Sequence, residues 1–189
     1  MSNAIIWTLG VSAVLALIVI GIYNGIIARA NAAKRSWADV ITYERGKAKV
    51  LGPITEMLAK YADYESGLLK KITSLREQLA TLKDDTSADD LVKVQSAAAE
   101  VMKAVKLTVE NYPDLKANQL YSQVMAEIAD QQENVNGAVA IFNLNVELHN
   151  NGIEQFPGSL VNSLFNKRQP ITPFNDKEAQ AQFDYQPNL

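Results

Sequence analysis

Cysteine is absent from this 189-residue chain, and histidine occurs once, at His149. The first absence excludes disulfide frameworks, thiolate nucleophiles and sulfur-ligated zinc. The second leaves little room for a His-built metal site or a proton relay. Also missing are the phosphate-cradling strings G-x-x-x-x-G-K and G-x-G-x-x-G and the nucleophile elbow G-x-S-x-G. No serine stands in a visible pattern with a histidine and a carboxylate that would activate it. The chain therefore reads as non-enzymatic, with no cofactor, no metal and no small-molecule substrate. A basic excess is lacking as well. The 18 Lys and Arg against 21 Asp and Glu leave a net charge of -3, which argues against nucleic acid as a partner. What remains is ample apolar material, 48% of the residues, in a length that suits one domain with an appendage.

Charge is missing altogether from Met1 to Ala28, and this local absence is the most informative of all. Ala4 to Ile27 holds 24 residues, 18 of them apolar. As a helix rising about 1.5 Å per residue it would reach about 36 Å, enough to cross a hydrocarbon core of about 30 Å. Trp7 and Tyr23 lie near its ends, where amphipathic rings favour the water interface. A cleaved signal peptide is the competing reading, since Ala28-Arg29-Ala30 imitates a small-x-small cleavage site. Yet basic residues follow the run instead of preceding it, and the run exceeds an apolar core of about 7–15 residues. Residues 29–49 carry six basic and two acidic side chains, whereas no Lys or Arg precedes the run. The positive-inside rule then places the N-terminus outside and the bulk in the cytoplasm, with a periplasmic body as the alternative. Arg29, Lys34 and Arg35 form a basic collar suited to anionic lipid headgroups.

Beyond the anchor the apolar period is helical. Trp37, Ile41, Ala48, Leu51, Leu58, Tyr61, Leu68, Ile72, Leu75, Leu79 and Leu82 mark one stripe of a helix over about 31–82, with Pro53 expected to kink or divide it. Ser87 with Asp90 three residues later resembles a cap for a second helix, striped by Leu91, Val94, Ala98, Val101, Val105, Thr108 and Tyr112. A third helix is expected over about 115–154, its stripe running through Tyr121, Val124, Ile128, Val135, Ala138, Phe142, Val146, His149, Ile153 and Phe156. Phe156-Pro157-Gly158-Ser159 should stop it and offer Ser159 as the N-cap of a short amphipathic piece over 160–165. No stretch alternates with period two for long enough to make a strand. The expected fold is all-α: an N-terminal transmembrane helix over 1–30, an elongated antiparallel bundle of three long helices plus a short fourth over 31–166, and an extended tail over 167–189.

Several residues invite a functional reading. His149 falls on an apolar stripe, where a hydrogen-bonded core histidine is the ordinary case. Asp84, Asp85, Asp89 and Asp90 lack the ligand order and turn glycine of a calcium loop, and helix capping accounts for them. Gly21 and Gly25 have the small-xxx-small spacing that lets membrane helices approach closely. Asn134, Asn136, Asn143, Asn145 and Asn150 crowd a stretch in which Glu147 is the sole charge between 134 and 153. Amides satisfy one another without the desolvation cost of ions, so this face suits a packed polar interface with another copy or another protein.

The string Glu110-Asn111-Tyr112-Pro113-Asp114-Leu115-Lys116-Ala117-Asn118 resembles the turn between the second and third soluble helices of the LemA family. Tyr23-Asn24, Trp37 with Asp39, Pro53, Tyr61-Ala62 with Glu65, Asn143, Asn150 and Phe156-Pro157 fall where that family has the same residues. The likeness covers roughly 20–175. It departs at Val139 and Ala140, where relatives carry paired arginines, and at His149-Asn150, where they have Tyr-Asn. The resemblance implies a small bacterial membrane protein with one N-terminal transmembrane helix and a helical domain, and neither catalytic activity nor cofactor. Relatives occur in magnetosome membranes and are often encoded near membrane proteases.

The sequence thus leads to an expected non-enzymatic, single-pass protein of the bacterial inner membrane. Its expected partners are the lipid bilayer, further copies of itself in a homo-oligomer, and a membrane protein. A scaffold that organises or shapes membrane is the first reading. An adaptor or sensor for a membrane protease or signalling protein is the alternative.

Overall fold

The first helix does not stop where charge begins. In a computed structural model describing residues 3–61, 66–112 and 118–175, helix α1 (Asn3–Tyr61) continues unbroken for 59 residues and passes through Pro53. Helices α2 (Ser66–Ala80), α3 (Ala88–Asn111), α4 (Gln119–Glu154) and α5 (Gly158–Val161) follow, and a single π-helical turn closes the series at Asn162–Asn166. No strand occurs among the described residues, so the all-helical reading of the sequence holds.

Three expectations need correction. The single helix expected over 31–82 is two helices, α1 and α2; the residues between them, 62–65, lie outside the described residues. The apolar period could not reveal the division. Leu58 to Leu68 is ten residues, close to three turns at about 3.6 residues each, so the stripe keeps its phase across the break. Next, Ser159 is not an N-cap. Pro157 holds that position without a side-chain bond, and the Ser159 N–H donates to Gln155 O at 2.8 Å. Finally, Phe156 is 82% exposed, because α4 ends at Glu154 and its phase goes no further.

The chain divides into two units, one of Met1–Ser36 with Ile141–Pro173 and the other of Trp37–Ala140 with Phe174–Leu189. In the first, α1 packs against α4 in antiparallel register: Ser36 bonds Asn145, Arg29 lies against Gly152, and Ile26 packs with Ile153. Within α1 lies the one stretch among the described residues that is long and apolar enough to cross a membrane, and none of it is buried. Trp7, Leu9, Val11, Val14, Leu15, Leu17 and Ile18 are all exposed.

In the second unit α2 and α3 form a hairpin around residues 81–87 and pack together. The turn is closed by Thr86 N–H donating to Lys83 O at 2.8 Å and Lys83 N–H donating to Thr86 Oγ1 at 2.9 Å. Ser87 caps α3 as expected: its Oγ accepts from Asp90 N–H at 3.2 Å, while its hydroxyl donates to the Asp90 carboxylate at 2.8 Å. Helix α2, with 15 residues, is at the length where isolated helices are marginal in water, so packing must hold it. Burial of Leu68, Ile72, Leu75 and Leu79 supplies that, each contributing about 1.5–3 kcal/mol. From α1 the unit draws Val40, Ile41, Ile54, Met57 and Leu58, all buried. Trp37 Nε1–H donates to Thr86 O at 2.8 Å, and its ring lies 5.6 Å from that of Phe174.

Candidate functional site

The first unit gathers most of the functional candidates at the charged end of the apolar run. Ile26, Ile153 and Val161 form a buried cluster against which Val19 and Ile22 pack, so α5 lies alongside the last turns of the uncharged part of α1. The turn from α4 into α5 needs glycine at 158, where a Cβ would strike the Gly152 carbonyl oxygen. On the outer side Phe156, Leu160, Leu164 and Phe165 are between 54% and 82% exposed. Asn166 Nδ2–H donates to Tyr23 O at 3.3 Å, tying the far end of the π turn to α1. The turn itself is held by Lys167 N–H donating to Asn162 O at 2.7 Å, while the Asn162 side chain accepts from Arg168 N–H at 2.9 Å and donates to Arg168 O at 3.0 Å. Lys167 adopts the left-handed conformation, with φ 52.

The chain after the π turn runs back over α4 as an extended strap. Asn150 clasps it by both main-chain groups of Ile171: Nδ2–H donates to Ile171 O and Ile171 N–H donates to Oδ1, each at 2.9 Å. Pro170 and Pro173 bias the residues before them toward extended backbone, so the strap is partly set before it docks. Beside the clasp, buried His149 turns Nε2 to Gln169 O at 3.3 Å. Its Nδ1 is buried with no hydrogen-bond partner among the described residues.

The asparagine-rich stretch is accordingly divided. Asn145 and Asn150 satisfy this chain's own Ser36 and Ile171, and Asn143 is half-buried. Asn134 and Asn136 are exposed, the second accepting from Gln132 Nε2–H at 2.9 Å. The exposed face of α4 in the first unit carries instead an apolar ridge of Ile141, Leu144 and Leu148, at helical spacing. Sequence reasoning passed over this ridge, although a second apolar stripe in a chain segment so poor in charge was there to be read. Gly21 is exposed and Gly25 half-buried, and a Cβ at either would meet nothing within 4 Å. Lys34 and Arg35 are exposed; Arg29 lays its guanidinium against Gly152. In the family-like turn, Tyr112 is half-buried at the end of α3, its N–H donating to Val109 O at 3.2 Å. Pro113, Asp114, Leu115 and Lys116 lie outside the described residues. Asn118, the last residue of that string, caps α4 by accepting from Leu120 N–H at 2.9 Å.

The second unit contains a polar cluster that was not expected. Buried Glu44 meets Lys47 Nζ at 2.9 Å and accepts from Gln95 Nε2–H, while Lys47 Nζ donates to Gln132 Oε1 at 2.7 Å. Four side chains thus join α1 to α3 and α4. The signal was in the stripe itself: Glu44 stands midway between Ile41 and Ala48, at the three-four step where an apolar residue belongs. Surface acids have simpler partners. Asp84 pairs with Arg45 at 2.8 Å. Asp90 pairs with Lys93 at 2.8 Å, and the hydrogen bonds from Lys93 and Ser87 hold its carboxyl below the usual range. Among the described residues no three His, Asp or Glu side chains converge as a metal site.

Comparison with known proteins bears directly on this architecture. Protein LemA of Metamycoplasma hominis is 26% identical over 137 residues, which is 72% of this chain and 62% of that protein, so the chain spans about three-fifths of the relative's length. The model of the LemA family matches residues 36–185. That match takes in most of α1 beyond the apolar run, both helices of the hairpin, α4, the short α5 and the strap, and the chain therefore belongs to the LemA family.

Proposed function

We propose that this protein is a non-enzymatic membrane-anchored scaffold that self-assembles through its helical domain. The observation that carries the reading is the exposed ridge of Ile141, Leu144 and Leu148 on α4, on the same unit as the apolar run. Large apolar side chains at helical spacing on an exposed face mark contact surfaces, because leaving them in water forgoes about 1.5–3 kcal/mol per side chain. The open flank at Gly21 and Gly25 supports a second contact within the bilayer, since small residues let helix backbones approach. The basic collar of Lys34 and Arg35 supports lodging on anionic headgroups, with the helical domain on the cytoplasmic side.

The test is the mass of the full chain in mild detergent and its cross-linking pattern in native membranes. A discrete multimer is expected, and Leu144→Glu with Leu148→Glu should dissociate it while helicity is retained. A sharp monomer at micromolar concentration refutes self-assembly. Retention of one heterologous membrane protein by that monomer would instead support the adaptor reading.

A further inference from the structure

We infer that the segment from Phe156 to Phe165 is a second membrane-seated element, lying in the lipid leaflet nearest Arg29 with Phe156, Leu160, Leu164 and Phe165 in contact with acyl chains. The inference rests on the reading that α1 crosses the bilayer, and three independent features of the segment carry it further.

The first is depth. Val161 belongs with Ile26 and Ile153 to the buried cluster against which Val19 and Ile22 pack, on the uncharged side of Arg29. At about 1.5 Å per residue, Ile22 and Val19 stand about 8–12 Å inside the end of the apolar run at Ile27. Any leaflet that covers Val19 on α1 therefore also reaches the helix resting on it.

The second is charge. The twelve residues from Gln155 to Asn166 include no ionisable side chain. They are bracketed by Glu154 before and by exposed Lys167 and Arg168 after. That is the layout of an interfacial element: an apolar face into the acyl boundary and cations at headgroup level. In water the same four side chains would form an exposed patch that nothing among the described residues covers.

The third is hydrogen bonding within the segment, which lipid rewards because it offers none of its own. The Ser163 hydroxyl donates to Leu160 O at 2.9 Å, and Ser159 N–H donates to Gln155 O at 2.8 Å. Asn162 uses both ends of its amide on Arg168, and Asn166 donates to the Tyr23 carbonyl. Gln155 and Ser163 stay exposed beside the leucine and phenylalanine side chains, as the headgroup boundary permits, and Asn166 Oδ1 is buried with no hydrogen-bond partner among the described residues.

Because the chain has no cysteine, single cysteines can be introduced without background. Nitroxide labels would be placed on Leu164→Cys, Phe165→Cys, Leu15→Cys and Glu147→Cys in the full chain, reconstituted in vesicles of phosphatidylcholine with phosphatidylglycerol. Collisions with oxygen, which concentrates in lipid, and with a nickel chelate, which stays in water, report the surroundings of each label. The expected result is a severalfold rise in the oxygen-to-nickel ratio at Leu164→Cys and Phe165→Cys over Glu147→Cys, approaching that of Leu15→Cys. A lipid signature at Leu15→Cys with a water signature at Leu164→Cys and Phe165→Cys overturns the inference and leaves the anchor standing. Shielding of these two labels from both reagents also overturns it, since protein would then cover the face. A water signature at Leu15→Cys removes the anchor reading itself.

Discussion

Replacing Asn150 by alanine should free the strap without unfolding the helices. The clasp consists of two hydrogen bonds of 2.9 Å between one side-chain amide and the N–H and C=O of Ile171, all part-buried. Each contributes about 0.5–1.5 kcal/mol net, so their joint loss weakens docking by about 2 kcal/mol, or roughly 30-fold in the opening equilibrium. The strap can detach into solvent, where its main-chain groups find water, so no buried orphan remains to destabilise α4. The loss is therefore local. Hydrogen–deuterium exchange on the full chain in detergent reads it directly. Pro170 and Pro173 have no amide proton, so the protection of Ile171 and Thr172 is seen with few neighbours. Exchange at Ile171 should quicken about 30-fold in Asn150→Ala while the interior of α4 keeps its protection. Asn150→Asp retains an acceptor for the Ile171 N–H but sets an anionic oxygen against the Ile171 carbonyl, so protection falls there too. Unchanged exchange at Ile171 in Asn150→Ala would refute the clasp. A matching loss throughout α4 would show that the strap belongs to the cooperative core instead.

Other substitutions test other links. Lys47→Met leaves Glu44 buried beside Gln95 alone and should cost about 3–5 kcal/mol in urea unfolding, whereas Glu44→Leu with Lys47→Met should recover most of it. Ser87→Ala removes the α3 cap and should cost about 1 kcal/mol. Because Lys93 and Ser87 hold the Asp90 carboxyl below its usual range, its contribution is present at neutral pH. It fades as acid takes the pH down through and beneath the ordinary carboxylate range; wild type and Ser87→Ala should differ less there. Gly158→Ala drives a Cβ into the fixed Gly152 carbonyl and should cost about 1–3 kcal/mol, while Gly152→Ala meets the movable Arg29 side chain and should be milder; thermal melts of the two separate the cases.

The helical class, the anchor-like run and the Ser87 cap were legible because each rests on local pattern: a period near 3.6, an unbroken apolar stretch, a capping pair. The break between α1 and α2 was not, since a stripe that keeps its phase looks continuous whether or not the chain turns. Pro53 drew the eye to the wrong place: one lost main-chain bond does not end a helix whose neighbours Leu51, Ile54, Met57 and Leu58 are all buried. Asn145 and Asn150 show a deeper limit. Their composition suggested a surface for another molecule, yet their partners, Ser36 and Ile171, lie 109 and 21 residues away within the chain. An amide reads the same in sequence whether it faces a partner or the molecule's own backbone. Glu44, by contrast, carried a readable signal that was passed over, a charge in an apolar phase, whereas its companions Gln95 and Gln132 required the fold.

The uninterrupted passage of α1 from greasy run to collar has a geometric consequence. With no swivel between Gly21 and Ser36, angular phase is transmitted intact: inserting one residue after Ile27 would turn everything upstream by about 100° and shift it about 1.5 Å relative to the Arg29 and Ser36 contacts. Seven inserted residues would restore the original azimuth to within about 20° while displacing the upstream part by about 10 Å. The glycine flank is thus geared to the face that Arg29 and Ser36 present to α4, and even whole inserted turns, which restore that azimuth, would draw Ile26 and Tyr23 away from Ile153, Val161 and Asn166.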